Sequence, residues 1–148
     1  MTLPILIYRH RRENRAKCTL TPLESRKDLA FLTYPLDPLP DLSAYLILRV
    51  GAPPLTLADK DKGLLLIDGT WNLASVMDRA CPSIEARSLP AHFTTAYPRR
   101  QTGCPDPEKG LASIEALYLA CLILERETAG LLDHYYWKDE FLNINRLH

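Results

Sequence analysis

The stretch GLLLIDGTW, residues 63–71, decides the fold class of this 148-residue chain. Residues 63–67 are a continuous apolar run of strand length, which predicts a strand buried within a sheet. Asp68 ends this run, and a helix is predicted from about Thr70 to Ala80. A buried strand that leads directly into a helix is typical of an α/β domain with a mainly parallel sheet.

Other segments predict further strands and helices around this unit. Apolar runs predict strands at residues 3–8, 44–50 and 93–97, an extended connection at 88–90, and helices at 111–125 and 131–147. Thr21, Pro22 and Glu24 predict a helix start, with the Thr21 hydroxyl as N-cap and Glu24 completing a capping box. The prolines at 35, 38 and 40 exclude regular structure from residue 34 to residue 40.

The composition and the motifs narrow the classes of function. The sequence has no glycine-rich dinucleotide fingerprint, P-loop or Gly-x-Ser-x-Gly elbow, which argues against a dehydrogenase, a kinase or an α/β-hydrolase. The four cysteines and four histidines lack the spacing of a zinc site, so no metal is expected. No apolar run reaches the roughly 18–20 residues that span a bilayer, and charge follows the apolar N-terminal segment. We therefore expect a cytoplasmic protein without a membrane partner.

A basic segment follows the first predicted strand and is expected to form a loop. Residues 9–17 contain five basic residues and one acid, a balance of +4 that leaves −4 for the rest of a neutral chain. The basic residues are Arg9, Arg11, Arg12, Arg15 and Lys17, and a second loop carries Arg99 and Arg100. Such clustering indicates an anionic partner, although a solvated loop without a partner has the same composition.

Asp68 and Trp71 are the sharpest local feature of the sequence. Ligands of open parallel sheets bind beyond the carboxyl ends of the strands, which is where Asp68 is predicted to lie. Its carboxylate could accept hydrogen bonds from a ligand or orient a reacting group. The Trp71 indole would offer an apolar face to a sulfonium, a base or an alkyl chain. The alternative is structural, with Asp68 capping the helix and Trp71 packing in the core.

Six segments, in their order along the chain, resemble the small-subunit rRNA aminocarboxypropyltransferases, which belong to the DTW-domain group. The segments are residues 17–24 (KCTLTPLE), Asp68-x-x-Trp71, Ser88-Leu89-Pro90, Ala96-Tyr97-Pro98, Leu111-x-x-x-Glu115-Ala116 and residues 137–145. The resemblance extends from about residue 15 to the C-terminal end. It rests on the ordered recurrence of short motifs.

The resemblance implies an α/β fold with a mainly parallel sheet, helices on both faces and a SPOUT-like C-terminal trefoil knot. It implies two regions, with residues 1–60 forming an α/β lobe that faces RNA and residues 61–148 forming a lobe that binds S-adenosylmethionine. The implied reaction transfers the 3-amino-3-carboxypropyl group of S-adenosylmethionine to N3 of a modified uridine in ribosomal RNA. The implied enzyme is a monomer, and its partner is structured RNA, in small-subunit rRNA or a pre-ribosomal particle.

The resemblance also assigns residues to roles. Asp68 and Trp71 would be catalytic, with Trp71 packed against the methionine part and Asp68 acting as a base or an orienting group. The cofactor-binding residues would be Thr19, Asp68, Trp71, Leu89, Pro90, Leu111, Ala112 and Ser113. The RNA-binding residues would be Arg9, Arg11, Arg12, Arg15, Lys17, Arg99 and Arg100. Two other functions stay open: a SPOUT-type RNA methyltransferase, and a non-catalytic RNA-binding factor in ribosome assembly.

Overall fold

The computed structural model describes residues 3–12, 19–68, 71–81, 83–97 and 111–147, with only the backbone described for residues 71–73. The strands are β1 (Ile5–His10), β2 (Leu29–Tyr34), β3 (Tyr45–Leu48), β4 (Gly63–Asp68) and β5 (Ala86–Arg87). The helices are α1 (Trp71–Ala80), α2 (Ser113–Ile123) and α3 (Lys138–Ile144). The five strands form one parallel sheet in the order β2-β1-β4-β3-β5. The predicted α/β class is therefore confirmed.

The sheet separates two hydrophobic cores, which explains why β4 is apolar along its whole length. Leu64 and Leu66 pack in the core that contains residues of α2 and α3. Leu65 points to the opposite core, with Met77 of α1. A strand covered by helices on both faces needs apolar side chains at every position. Helices therefore lie on both faces of the sheet, as expected.

The start of β4 requires a glycine because of its neighbour in the sheet. Gly63 is the register partner of Tyr45 in β3. A Cβ atom at residue 63 would overlap the ring of Tyr45. The glycine thus lets β3 and β4 pair while the tyrosine ring lies over the backbone.

Several predicted elements differ from the structure. The six residues of β2 were not predicted as a strand. Residues 93–97 form no strand, because the Ala96 amide donates to the buried Glu115 carboxylate rather than to a neighbouring strand. Thr21 is not an N-cap: it lies inside a short 3-10 helix, Thr21–Leu23, whose N-cap is Leu20. The last predicted helix is shorter, with turns before α3 that place Leu131 and Leu132 in the core.

The first strand extends further than predicted, and this extension positions the site. β1 runs through Arg9 and His10, so Arg9 becomes the register partner of Asp68 at the end of β4.

The strands before residue 60 and after residue 61 pair within the same sheet. Among the described helices, none has the length and hydropathy needed to cross a membrane.

Candidate functional site

The carboxyl ends of β1 and β4 bring Asp68 and Arg9 together inside the protein. Asp68 is 3% exposed and Arg9 is 5% exposed. The Arg9 Nε–H donates to Asp68 Oδ2 over 3.1 Å. Arg9 Nη1 also donates to Glu24 Oε2 over 2.6 Å, so that one guanidinium contacts two carboxylates. A buried carboxylate needs such a partner because burial removes the water that would otherwise stabilise its charge.

The first turn of α2 meets the same cluster from another side. The Ser113 hydroxyl donates to Asp68 Oδ1 over 2.9 Å, so both carboxylate oxygens accept hydrogen bonds. The Thr19 hydroxyl oxygen accepts from the Ile114 amide over 3.2 Å and thereby caps α2 from a distant segment. The structure thus brings together Thr19, Asp68 and Ser113, three of the residues that the sequence predicted for the cofactor.

Trp71 lies at the start of α1, three residues after Asp68. Its backbone is therefore at the carboxyl edge of the sheet, where the prediction placed it. Its side chain falls outside the described part of the chain, so the choice between core packing and ligand contact stays a prediction.

A cavity of about 270 Å³ opens beside the end of β4, against α1. It is lined by Leu48, Arg49, Leu66, Ile67, Ala74, Ser75 and Asp78. Arg49 Nη2 pairs with Asp78 Oδ1 over 2.7 Å, which places a polar contact among mainly apolar walls. This volume is close to the lower end of small-molecule sites, about 300 Å³. None of these lining residues was predicted from the sequence as a site residue.

Glu115 organises the segments that flank α2 and is 0% exposed. Its Oε1 accepts from the Thr95 hydroxyl over 2.6 Å and from the Ala112 amide over 2.8 Å. Its Oε2 accepts from the Ala96 amide over 2.9 Å and from the Tyr135 hydroxyl over 2.9 Å. One carboxylate therefore fixes the start of α2, the segment before residue 98 and the turns before α3.

Comparison with known proteins shows which of them this chain resembles. No protein-family model matches the chain, and no curated protein does. A solved structure, the SAM-dependent rRNA:acp-transferase Tsr3 from Vulcanisaeta distributa, matches with a TM-score of 0.76 and 26% identity. The match covers 99% of this chain and 80% of the Tsr3 chain. The predicted resemblance to the rRNA aminocarboxypropyltransferases is confirmed.

The remaining residues predicted for the cofactor fall in two places. Ala112 is buried and Leu111 half-buried, directly before α2 and beside the Asp68 cluster. Leu89 and Pro90 are half-buried and follow β5, which β3 separates from β4. Ser88 joins this segment to the loop after β3, because the Leu55 amide donates to its carbonyl over 2.8 Å. Any ligand contact of Leu89 and Pro90 stays a prediction.

The basic residues separate into buried and exposed groups. The prediction that Arg9 belongs to an exposed basic loop is wrong, because Arg9 lies in β1 with its guanidinium bound to two carboxylates. Arg11 and Arg12 are exposed directly after β1. Burial and the positive charges of Arg12 and Arg11 lower the pKa of His10, because they disfavour its protonated form. Four predicted RNA contacts lie outside the described residues: Arg15, Lys17, Arg99 and Arg100.

Proposed function

We propose that this protein is an RNA aminocarboxypropyltransferase that uses S-adenosylmethionine and modifies ribosomal RNA. The observation that carries the proposal is the structural match to an SAM-dependent rRNA:acp-transferase over 99% of the chain. The site supports it independently, because Thr19, Asp68 and Ser113 converge at the carboxyl edge of the sheet. Ligands of open parallel sheets bind at this edge.

The residues at this edge suit a donor with a charged and an apolar part. When bound, S-adenosylmethionine would supply a carbon made electrophilic by the adjacent sulfonium. Asp68 supplies a buried negative charge, and the cavity against α1, which Asp68 does not line, has mainly apolar walls. We place the donor against Asp68 and the first turn of α2, with the Trp71 indole packed on its aminocarboxypropyl chain.

Selecting this chain rather than the methyl group is a problem of orientation. All three carbons on a sulfonium are electrophilic, so the pocket has to align one of them with the nitrogen of the target base. Fixed alignment of two reactants can supply roughly 7–11 kcal/mol of the barrier. In this proposal the cluster around Asp68 provides such alignment, since hydrogen bonds join it to β1, β4 and α2. Asp68 and Trp71 are the residues to which we assign the catalytic role.

We further propose that the target is N3 of a uridine in small-subunit rRNA, either free or within a pre-ribosomal particle. Arg11 and Arg12 support an RNA surface next to the site, since both are exposed where β1 ends. The other proposed phosphate contacts are Arg15, Lys17, Arg99 and Arg100. In this proposal residues 1–60 face the RNA and residues 61–148 bind the donor.

Three finer features complete the proposal and rest on the motif resemblance. These are a SPOUT-like trefoil knot in the C-terminal half, a monomeric enzyme and a cytoplasmic location. The parallel sheet with helices on both faces is compatible with the SPOUT-like fold. Sedimentation analysis would test the monomer, with a concentration-dependent increase in mass as the contrary result.

The deciding experiment is calorimetric titration of the purified protein with S-adenosylmethionine, beside a Trp71→Ala variant. We expect the intact protein to bind and the variant to lose binding while its melting temperature changes little. A comparable collapse of thermal stability in Trp71→Ala would show that Trp71 is a core residue. A folded intact protein that binds no donor would overturn the transferase proposal and favour an assembly factor.

A product assay separates the two transferase reactions. Incubation of the enzyme with RNA and donor should release 5′-methylthioadenosine if the aminocarboxypropyl group is transferred. Release of S-adenosylhomocysteine would instead show methyl transfer. Mass spectrometry of the digested RNA provides the matching measurement on the acceptor.

A further inference from the structure

The charge of Arg9 predicts an exposed side chain, but the side chain is buried. Its side chain is 6% exposed, and its Nε and Nη1 atoms donate to Asp68 and Glu24 respectively. Its guanidinium also lies over the ring of Phe31 in β2, 4.9 Å from the centroid. Three kinds of contact thus fix the orientation of one cation at the carboxyl edge of the sheet.

The two carboxylates that Arg9 joins belong to different walls of the proposed donor site. Asp68 ends β4, and its other oxygen accepts from Ser113 in α2. Glu24 follows the short helix that begins two residues after Thr19, and Thr19 caps α2 at Ile114. These contacts connect four parts of the chain in a closed cycle. β1 contacts residues 19–24, these residues contact α2, α2 contacts β4, and β4 contacts β1.

We infer that Arg9 is a positioning residue of the donor site, which holds Asp68 and residues 19–24 in register with the first turn of α2. The inference rests on the proposed function, because it concerns the same site. A guanidinium suits this role because its donors have a fixed planar geometry and can engage two carboxylates at once. Without it, the Asp68 carboxylate loses the cation that holds its Oδ2 atom in place.

Arg126 offers a matched control for a purely structural role. Its Nη1 donates to the Leu3 carbonyl over 2.7 Å and its Nη2 to the Lys62 carbonyl over 2.8 Å. Leu3 and Lys62 precede β1 and β4, so Arg126 joins the same two strands at the amino edge of the sheet. Both arginines connect these strands, but only Arg9 does so at the proposed site.

The experiment compares Arg9→Met with Arg126→Met at a temperature where unfolding curves show both variants fully folded. Calorimetric titration with S-adenosylmethionine measures donor affinity. We expect Arg9→Met to weaken binding about tenfold or more, a loss of the size found when the hydrogen-bond partners of metal ligands are removed. Arg126→Met should stay within about twofold of the intact protein, because mutations at distant sites act independently. Equal losses in the two variants, or full affinity in Arg9→Met, would overturn the inference.

A double-mutant cycle tests whether Arg9 acts through Asp68. The double variant Arg9→Met/Asp68→Asn should bind no more weakly than the weaker single variant, because both changes remove the same ion pair. Additive losses would mean that Arg9 does not act through Asp68. If Arg9→Met does not fold, Arg9→Lys takes its place, since a lysine keeps the charge but not the planar pair of donors.

The outcomes distinguish this inference from the proposed function. An intact protein that binds no donor overturns both. An intact protein that binds donor, with an Arg9→Met variant that binds equally well, overturns only the role of Arg9.

Discussion

Glu115 is a suitable residue for a mutational test, because four donors bond to its one buried carboxylate. We consider Glu115→Gln, which keeps the shape and exchanges one oxygen for an NH2 group. Each carboxylate oxygen accepts from one hydroxyl and one backbone amide. A hydroxyl can rotate to accept from the new NH2 group, whereas a backbone amide can only donate. In either orientation of the glutamine, the amide of Ala96 or of Ala112 therefore loses its acceptor.

The expected loss follows from these contacts. A hydrogen bond to a charged group contributes about 1.5–3 kcal/mol, and a buried donor left unsatisfied costs about 1–3 kcal/mol. Replacing a charge by a neutral amide removes part of the desolvation cost of the carboxylate. We therefore expect the free energy of unfolding to fall by about 2–4 kcal/mol. For a chain of this size the melting temperature should fall by about 5–15 °C.

The assay is urea unfolding followed by circular dichroism, with the melting temperature as a second measurement. Tyr135→Phe is the matched control, because it removes one hydroxyl donor and leaves both backbone amides bonded to Glu115. The control removes one of four hydrogen bonds to the charged carboxylate and should lose about 1.5–3 kcal/mol, less than Glu115→Gln loses in the same assay. A Glu115→Gln variant within about 0.5 kcal/mol of the intact protein, the usual size of a surface effect, would refute the reasoning. A control as costly as Glu115→Gln would also refute it.

Changes at three other places in the structure should have measurable effects. Thr19→Val removes the acceptor of the Ile114 amide and should cost about 1 kcal/mol in urea unfolding, as for other helix caps; an unchanged midpoint would contradict this. Replacing the exposed Arg11 and Arg12 by glutamine should lower the slope of log RNA affinity against log salt by about 0.9 for each phosphate that is no longer neutralised, and an unchanged slope would remove them from the RNA surface. Burial raises the pKa of Cys121 from 9.0 to about 12, so the unfolded chain ionises first as the pH rises. Below pH 9 this thiol contributes its full stabilisation. Above pH 9 the free energy of unfolding should fall by about 1.4 kcal/mol per pH unit, and the fall should be smaller in Cys121→Ala.

The sequence by itself determined the parts of the fold that depend on short-range pattern. The apolar run of β4 predicted a buried strand, because a strand covered on both faces excludes polar side chains. The apolar run after residue 110 predicted α2, which is buried along most of its length. The position of Asp68 at the end of β4 was predicted as well, since parallel sheets place ligand-binding groups at that edge. Ordered motifs then predicted a resemblance to the rRNA aminocarboxypropyltransferases, which the structural match to Tsr3 confirms.

Only the tertiary structure decided which charged groups are internal. Local charge density predicted Arg9 as part of an exposed loop, but its partner Asp68 lies 59 positions away and becomes its neighbour only when β1 pairs with β4. The sequence assigned no role to Glu115, and its burial depends on donors from two other segments, residues 95–96 and Tyr135, as well as on the start of its own helix. The strand β2 depends in the same way on pairing with β1. Burial of a charge is stable only where a partner is supplied, and partners from distant segments meet only in the folded chain.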